Sequence, residues 1–141
     1  MKFWDASAIV PLLARQEKTA AMERLLKQDP GMVVWWGAPV ECLSALTRLA
    51  REGRLAVTDV RAAEHRLEHL RNSWDEVIPG EACRRAAERM LRVHPLRAAD
   101  SLQLAAALIA SDHNPSQLDL VCLDDCITES ARKEGFRVWD R

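Results

Sequence analysis

The chain has 141 residues, with 20 Lys and Arg against 21 Asp and Glu, for a net charge of −1. Hydrophobic residues make up 48%, which excludes a disordered tail and suits a single domain over residues 1–141. No apolar run reaches the ~18 residues of a membrane span and no charged-then-apolar leader opens the chain, so a cytoplasmic protein without membrane contact is expected.

Lys2–Trp4 reads as a brief strand ending at Asp5. Helices are predicted over Ala6–Arg15 and Thr19–Gln28, the second stopped by Pro30-Gly31. Met32–Trp36 (MVVWW) is a continuous apolar run, as expected of a strand covered on both faces. The next helix has Pro39 at its first position, where a missing N–H costs nothing, and ends near Gly53. Thr58 is the predicted N-cap of a helix running to about Trp74. Glu76–Ile78 is the third strand, and Glu81–Val93 a helix before the His94-Pro95 break. Ala98–Ser111 is apolar almost all round, which marks a centrally buried helix. Leu120–Leu123 is the fourth strand, Asp125–Glu134 a helix closed by Gly135, and Phe136–Trp139 the fifth strand. Strands alternating with helices predict an α/β fold, with a parallel sheet covered by helices on both faces.

Open parallel sheets form their sites beyond the carboxyl ends of the strands. Asp5 follows the first strand there, Glu41 lies in the opening turn of the helix after the second, and Asp124 follows the fourth. Asp100 begins the apolar helix, and its neighbours Ala98, Ala99, Leu102 and Leu104 predict burial. Each acid alone is also an ordinary helix cap or first-turn residue. Together they crowd: two carboxylates ~4 Å apart repel by roughly 4 kcal/mol at an effective dielectric of 20. A cation would relieve that, and hard oxygen ligands suit Mg²⁺ or Mn²⁺. Without these four acids the net charge is −1 − (−4) = +3, so bulk charge does not decide for or against a polyanionic substrate.

With these residues in place, the chain resembles a PIN domain of the VapC type, the toxin of a type II toxin–antitoxin system. F-W-D-A-S-A-I resembles the family's first strand and aspartate, and P-V-E-C-L-S-A-L the segment carrying its glutamate. L-R-A-A-D-S-L-Q-L-A-A-A-L is the most specific match, and V-C-L-D-D-C-I-T-E-S-A-R-K-E-G-F resembles the closing block. The resemblance spans almost the whole chain. It implies a three-layer α/β/α PIN-like domain with a mostly parallel sheet of about five short strands.

It also implies a Mg²⁺- or Mn²⁺-dependent endoribonuclease that uses an activated water and leaves 5′-phosphate and 3′-hydroxyl ends. Metal ligation carries over most firmly to Asp5 and Asp100, with Glu41 and Asp124 completing the acidic pocket, and Ser7 and Ser101 match supporting positions. Cys122 stands where the family often has Thr or Ser, which leaves Asp125 a rival to Asp124. Implied partners are RNA, a cognate VapB-type antitoxin and a second copy in a homodimer, with DNA reached only through the antitoxin. The alternative is a PIN-like module that binds RNA or protein without cutting. An aspartyl phosphatase fits less well, because Ser7 stands where such enzymes commonly place a second aspartate.

Among the remaining features, Arg97 is the arginine best placed for a phosphate contact, while Arg48, Arg51 and Arg54 are expected on a solvated helix face. His65 and His69 match H-x-x-E-H, but helical spacing turns them to water, away from Leu67, Leu70 and Trp74. Trp35 and Trp36 are expected in the core. Cys42, Cys83, Cys122 and Cys126, with no C-x-x-C pair, are expected as free packing residues.

Overall fold

The computed structural model describes all 141 residues. The elements in chain order are β1 (Lys2–Trp4), α1 (Ala6–Leu13), α2 (Thr19–Gln28), β2 (Met32–Trp35), α3 (Ala38–Arg51), α4 (Val57–Arg71), β3 (Asp75–Val77), α5 (Glu81–Val93), α6 (Ala98–Ala110), β4 (Asp119–Val121), α7 (Asp125–Glu134) and β5 (Val138–Trp139). The five strands form one sheet in the order β3-β2-β1-β4-β5, with every pairing parallel.

The period-2 alternation of a strand sends successive side chains to opposite faces, and here it divides the core in two. Phe3, Val33, Trp35 and Leu120 point to the side covered by α5, α6 and α7. Trp4, Met32, Val34 and Val121 point to the side covered by α1, α2, α3 and α4. The three-layer α/β/α architecture expected from the sequence is therefore present, and its sheet is wholly parallel. Parallel sheets bury both faces, so their strands need apolar residues throughout; all four residues of β2 are buried.

Several local expectations shift. Strands β3 and β4 each begin one residue earlier than predicted, and β5 is confined to Val138–Trp139. Pro39 occupies the second helical position, because Ala38 already opens the helix. Helix α4 starts at Val57 with Ala56 as its N-cap, and the Thr58 side chain caps nothing. It ends at Arg71, but Trp74 stays buried, packing into the core from the turn that follows. Trp36 is not in the core: it leaves the sheet at the end of β2 and is 54% exposed. Cys126 is exposed on α7, whereas Cys42, Cys83 and Cys122 are buried and all four thiols are free. His65 and His69 are exposed, as helical spacing requires. No helix is long and apolar enough to cross a membrane.

Chain direction reverses its spread across the sheet between β1 and β4: β2 and β3 lie to one side, β4 and β5 to the other. A crevice opens at the carboxyl end of such a switch point, because the connections leave on opposite faces. Helices α1 and α7, which follow β1 and β4, both begin there.

Candidate active site

Asp5, Glu41, Asp100 and Asp124 all line one cavity of about 440 Å³ at this crevice. They are delivered by the first turns or caps of four helices, α1, α3, α6 and α7. Helix N-termini carry partial positive charge and unsatisfied N–H groups, so each acid is stabilised where it stands.

Asp5 is the N-cap of α1 and is only 3% exposed. Its Oδ2 accepts from the Ser7 backbone N–H at 2.9 Å and from the Ser7 hydroxyl. The same hydroxyl accepts from Leu123 N–H at 2.9 Å, which ties the end of β1 to the turn after β4. Asp124 is the N-cap of α7, with Oδ1 accepting from Ile127 N–H at 3.0 Å. Asp100 sits at the third position of α6 and accepts from the Arg97 backbone N–H at 3.2 Å. Glu41, half-buried, accepts from the side-chain amide of Gln103, which is itself buried one helical turn beyond Asp100.

The electrostatics carry the mark of charges held together without compensation. Burial pushes the Asp5 carboxyl up, the Ser7 hydrogen bonds oppose it, and the neighbouring Asp124 adds to the rise. Glu41 is pushed up to about 7, by burial first and by Asp5 and Asp100 as well, against the Gln103 bond that lowers it. The thiol of Cys42, on α3 beside them, rises to about 12 through burial and the Asp5 and Glu41 charges.

The acids share a cavity but do not meet around one point: no three are placed to hold a single ion in this arrangement. The physical reason is visible in their bonds. Each carboxylate is drawn back to a donor of its own helix start or, for Glu41, to Gln103, and like charges gain nothing by closing further. The donor set nevertheless suits a hard divalent cation, being all carboxylate oxygen. Gln103 adds one more: its Oε1 is buried without a hydrogen-bond donor, and a buried unpaired acceptor is costly unless a cation or ordered water meets it.

Other expected site residues fall out differently. Asp124 lines the cavity, while Asp125, next to it, is exposed and does not. Asp100 is only half-buried, and Ala98 and Ala99 beside it are exposed; at a helix's first turn, apolar neighbours do not imply burial. Ser101 is buried but donates to the Ala98 carbonyl at 2.7 Å, inside its own helix, so it supports the helix start and not an acid. Arg97 is exposed and contributes its backbone N–H, while its side chain does not line the cavity. Arg48 does line it, along with Ser44 and Gln103. The signal was in the spacing: 41, 44, 45 and 48 recur on one face of α3, and 100 and 103 on one face of α6. Cys122 contacts Asp5 Oδ2 at 3.6 Å and Ser7 Oγ at 3.7 Å, so the thiol packs beneath the acid that a hydroxyl would have bonded more strongly.

No protein-family model matches the chain, and no curated protein is detectably similar in sequence. Solved structures are similar in fold. The crystal structure of FitAcB from Neisseria gonorrhoeae superposes with a TM-score of 0.67 at 16% identity, over 99% of this chain and 96% of that one. A toxin–antitoxin complex from Klebsiella pneumoniae superposes with a TM-score of 0.61 at 11% identity, over 88% of this chain and 87% of that one. Identities this low establish a shared fold.

Proposed function

We propose that the chain is a Mg²⁺- or Mn²⁺-dependent endoribonuclease and the toxic component of a type II toxin–antitoxin module. The observation that carries this reading is the gathering of Asp5, Glu41, Asp100 and Asp124 around one cavity at the switch point of the sheet. The fold shared with a toxin–antitoxin complex and the resemblance of the four acid-bearing motifs to PIN domains of the VapC type support it.

Asp5 and Asp100 are the principal ligands in this proposal, with Glu41 and Asp124 completing the set. When bound, the ion supplies Lewis acidity and neutralises charge developing at the scissile phosphate. The chain's own residues prepare the site. Ser7 fixes the Asp5 carboxylate through two donors, Gln103 holds Glu41, and the positive ends of the helix dipoles face all four acids. Water adds to phosphorus, the P–O3′ bond breaks, and the departing O3′ takes a proton, leaving 5′-phosphate and 3′-hydroxyl ends.

The same proposal gives the chain an antitoxin partner of the VapB type, a homodimeric state and a cytoplasmic place of action. Support for a covering partner comes from Trp36, in the turn before α3, and from Val40 and Leu43, in the first two turns of that helix. All three are exposed apolar side chains, and Val40 stands at the cavity lip.

A PIN-like module that binds without cutting is favoured by one observation, the failure of any three acids to meet around a point. Cleavage of an RNA panel in Mn²⁺ separates the two. The nuclease reading expects cleavage with 5′-phosphate products, lost in Asp100→Asn. Equal cleavage by both proteins, or 2′,3′-cyclic phosphate ends, overturns it.

A further inference from the structure

A second cavity, of about 360 Å³, is lined by Arg15, Lys18 and Arg54 together with Glu17, Leu49 and Leu55. It lies at the far end of the seam between α1 and α3. Residues of these two helices from their starts to Val10 and Arg48 line the acidic cavity, while Ala14 after α1, Leu49 near the end of α3 and the turn that follows line the basic one. From Glu41 to Leu49 along α3 is about 12 Å at 1.5 Å per residue, a span that an extended nucleic-acid strand covers in a few nucleotides. Arg48 stands between the two, on the acidic cavity's wall.

The cations of this seam are available. Arg15, Lys18 and Arg48 form no ion pair, and Arg54 has only a loose 3.8 Å contact with Glu52. Arg71, Arg84, Arg85, Arg89 and Arg132 are each paired with a carboxylate; other cations are also unpaired, and what sets the seam apart is that three of its cations line one concavity. Three cations against the single Glu17 make a net positive concavity beside a net negative one. A polyanion whose reacting phosphate is held among the acids would find its flanking phosphates met by cations a short way along its backbone.

We infer that the α1–α3 seam is a backbone-binding track for single-stranded RNA, running from the acidic cavity past Arg48 to the Arg15–Lys18–Arg54 concavity. This rests on the nuclease proposal for the substrate class, but it concerns binding and is separable from cutting. Three cations line the concavity against one amide, that of Gln16, so the track contributes mainly backbone affinity, which carries little sequence preference.

The test uses the full chain carrying Asp100→Asn, without divalent metal, and fluorescence anisotropy with fluorescein-labelled single-stranded RNAs of increasing length. Affinity is expected to rise with length until the strand reaches the concavity. Adding R15A, K18A and R54A should abolish that gain and reduce the slope of log affinity against log salt by roughly 2, from three contacts at ~0.7 each. Adding R84A and R85A, on the far face, should leave both unchanged. The inference is overturned if the triple variant retains the length gain, if the far-face pair loses as much, or if poly-glutamate displaces RNA as well as RNA of equal charge does, which would assign the cations to an acidic protein. Loss of the length gain in the triple variant upholds the track even if the unsubstituted chain cuts no RNA, in which case the nuclease reading alone fails. Cleavage by that chain with a triple variant that binds normally does the reverse.

Discussion

Glu41 and Glu134 are the same residue type, each partly shielded from water, and the protein drives them in opposite directions. Glu134, at the end of α7, accepts from Arg89 at 2.7 Å and meets the buried His94 ring at 2.6 Å. Its carboxyl is held below the ordinary range, by the Arg89 hydrogen bond first and then by His94. Glu41 has only a neutral amide for a partner and two acids for neighbours, and it rises to about 7. The first arrangement is closed, tying α7 to α5 and to the turn after it with charges already compensated. The second is open, holding negative charge at a local cost that an incoming cation would offset. A buried acid therefore says little about role until its partners are known.

The sharpest break between the regions is activity without stability. Asp5→Asn keeps a good N-cap, since Asn caps as well as Asp, but removes the most buried charge of the cavity. Mn²⁺-dependent cleavage is expected to fall about 100-fold or more, while metal-free melting stays level or rises. A melt lowered by several degrees with cleavage retained would reverse the assignment of the two regions.

Glu134→Ala should do the opposite, costing about 2 kcal/mol in urea titrations by leaving His94 without its partner and sparing RNA cleavage. Because the folded carboxyl is depressed, the stability it contributes is complete above the unfolded value of 4.5 and is lost as pH falls through the folded value. The difference between parent and variant should therefore shrink in acid.

The smallest effect concerns Glu41→Gln. A carboxyl raised from 4.5 to about 7 binds more protons folded than unfolded in that interval, so parent stability falls as pH rises across it. The variant escapes this, and its metal-free advantage should grow from pH 4.5 to 7; solvent screening of this half-exposed group cuts the roughly 3 kcal/mol of a fully shielded one to on the order of 1 kcal/mol. Mn²⁺ should narrow the gap by stabilising the parent, with its full set of carboxylates, more than the variant. A pH-independent difference would mean that Glu41 is not crowded.

The fold was legible because strand and helix periods alternate cleanly, and because turn residues such as Pro30-Gly31 and Gly135 mark the joints; Gly135 adopts the left-handed conformation that ends α7. Residues at element ends were misread for a common reason. Trp36 continues the apolar pattern of β2 yet lies one step past the paired strand, and Cys126 and the alanines beside Asp100 occupy first turns, where one side faces solvent. Pattern gives the direction of a side chain but not where the covering layer stops. The four acids were legible as positions at strand ends and helix starts. Spacing puts Arg48 on the helix face of Glu41 and Gln103 on that of Asp100, but it does not say that the two faces meet, because that depends on α3 and α6 facing each other across the crevice, a relation between distant segments.

The placement of β1 at the centre of the sheet has a consequence for how the protein is made. Strand β1 precedes both of its neighbours in the chain, bonding on one side to β2 and on the other to β4, and Asp5 is buried only when that second neighbour arrives, since its own N–H donates to the Val121 carbonyl. Chains emerge amino end first, so Asp5 waits for more than a hundred residues of synthesis before Asp124 can join it. Whatever chemistry the pocket performs is withheld from the nascent chain until β4 and the start of α7 have been delivered.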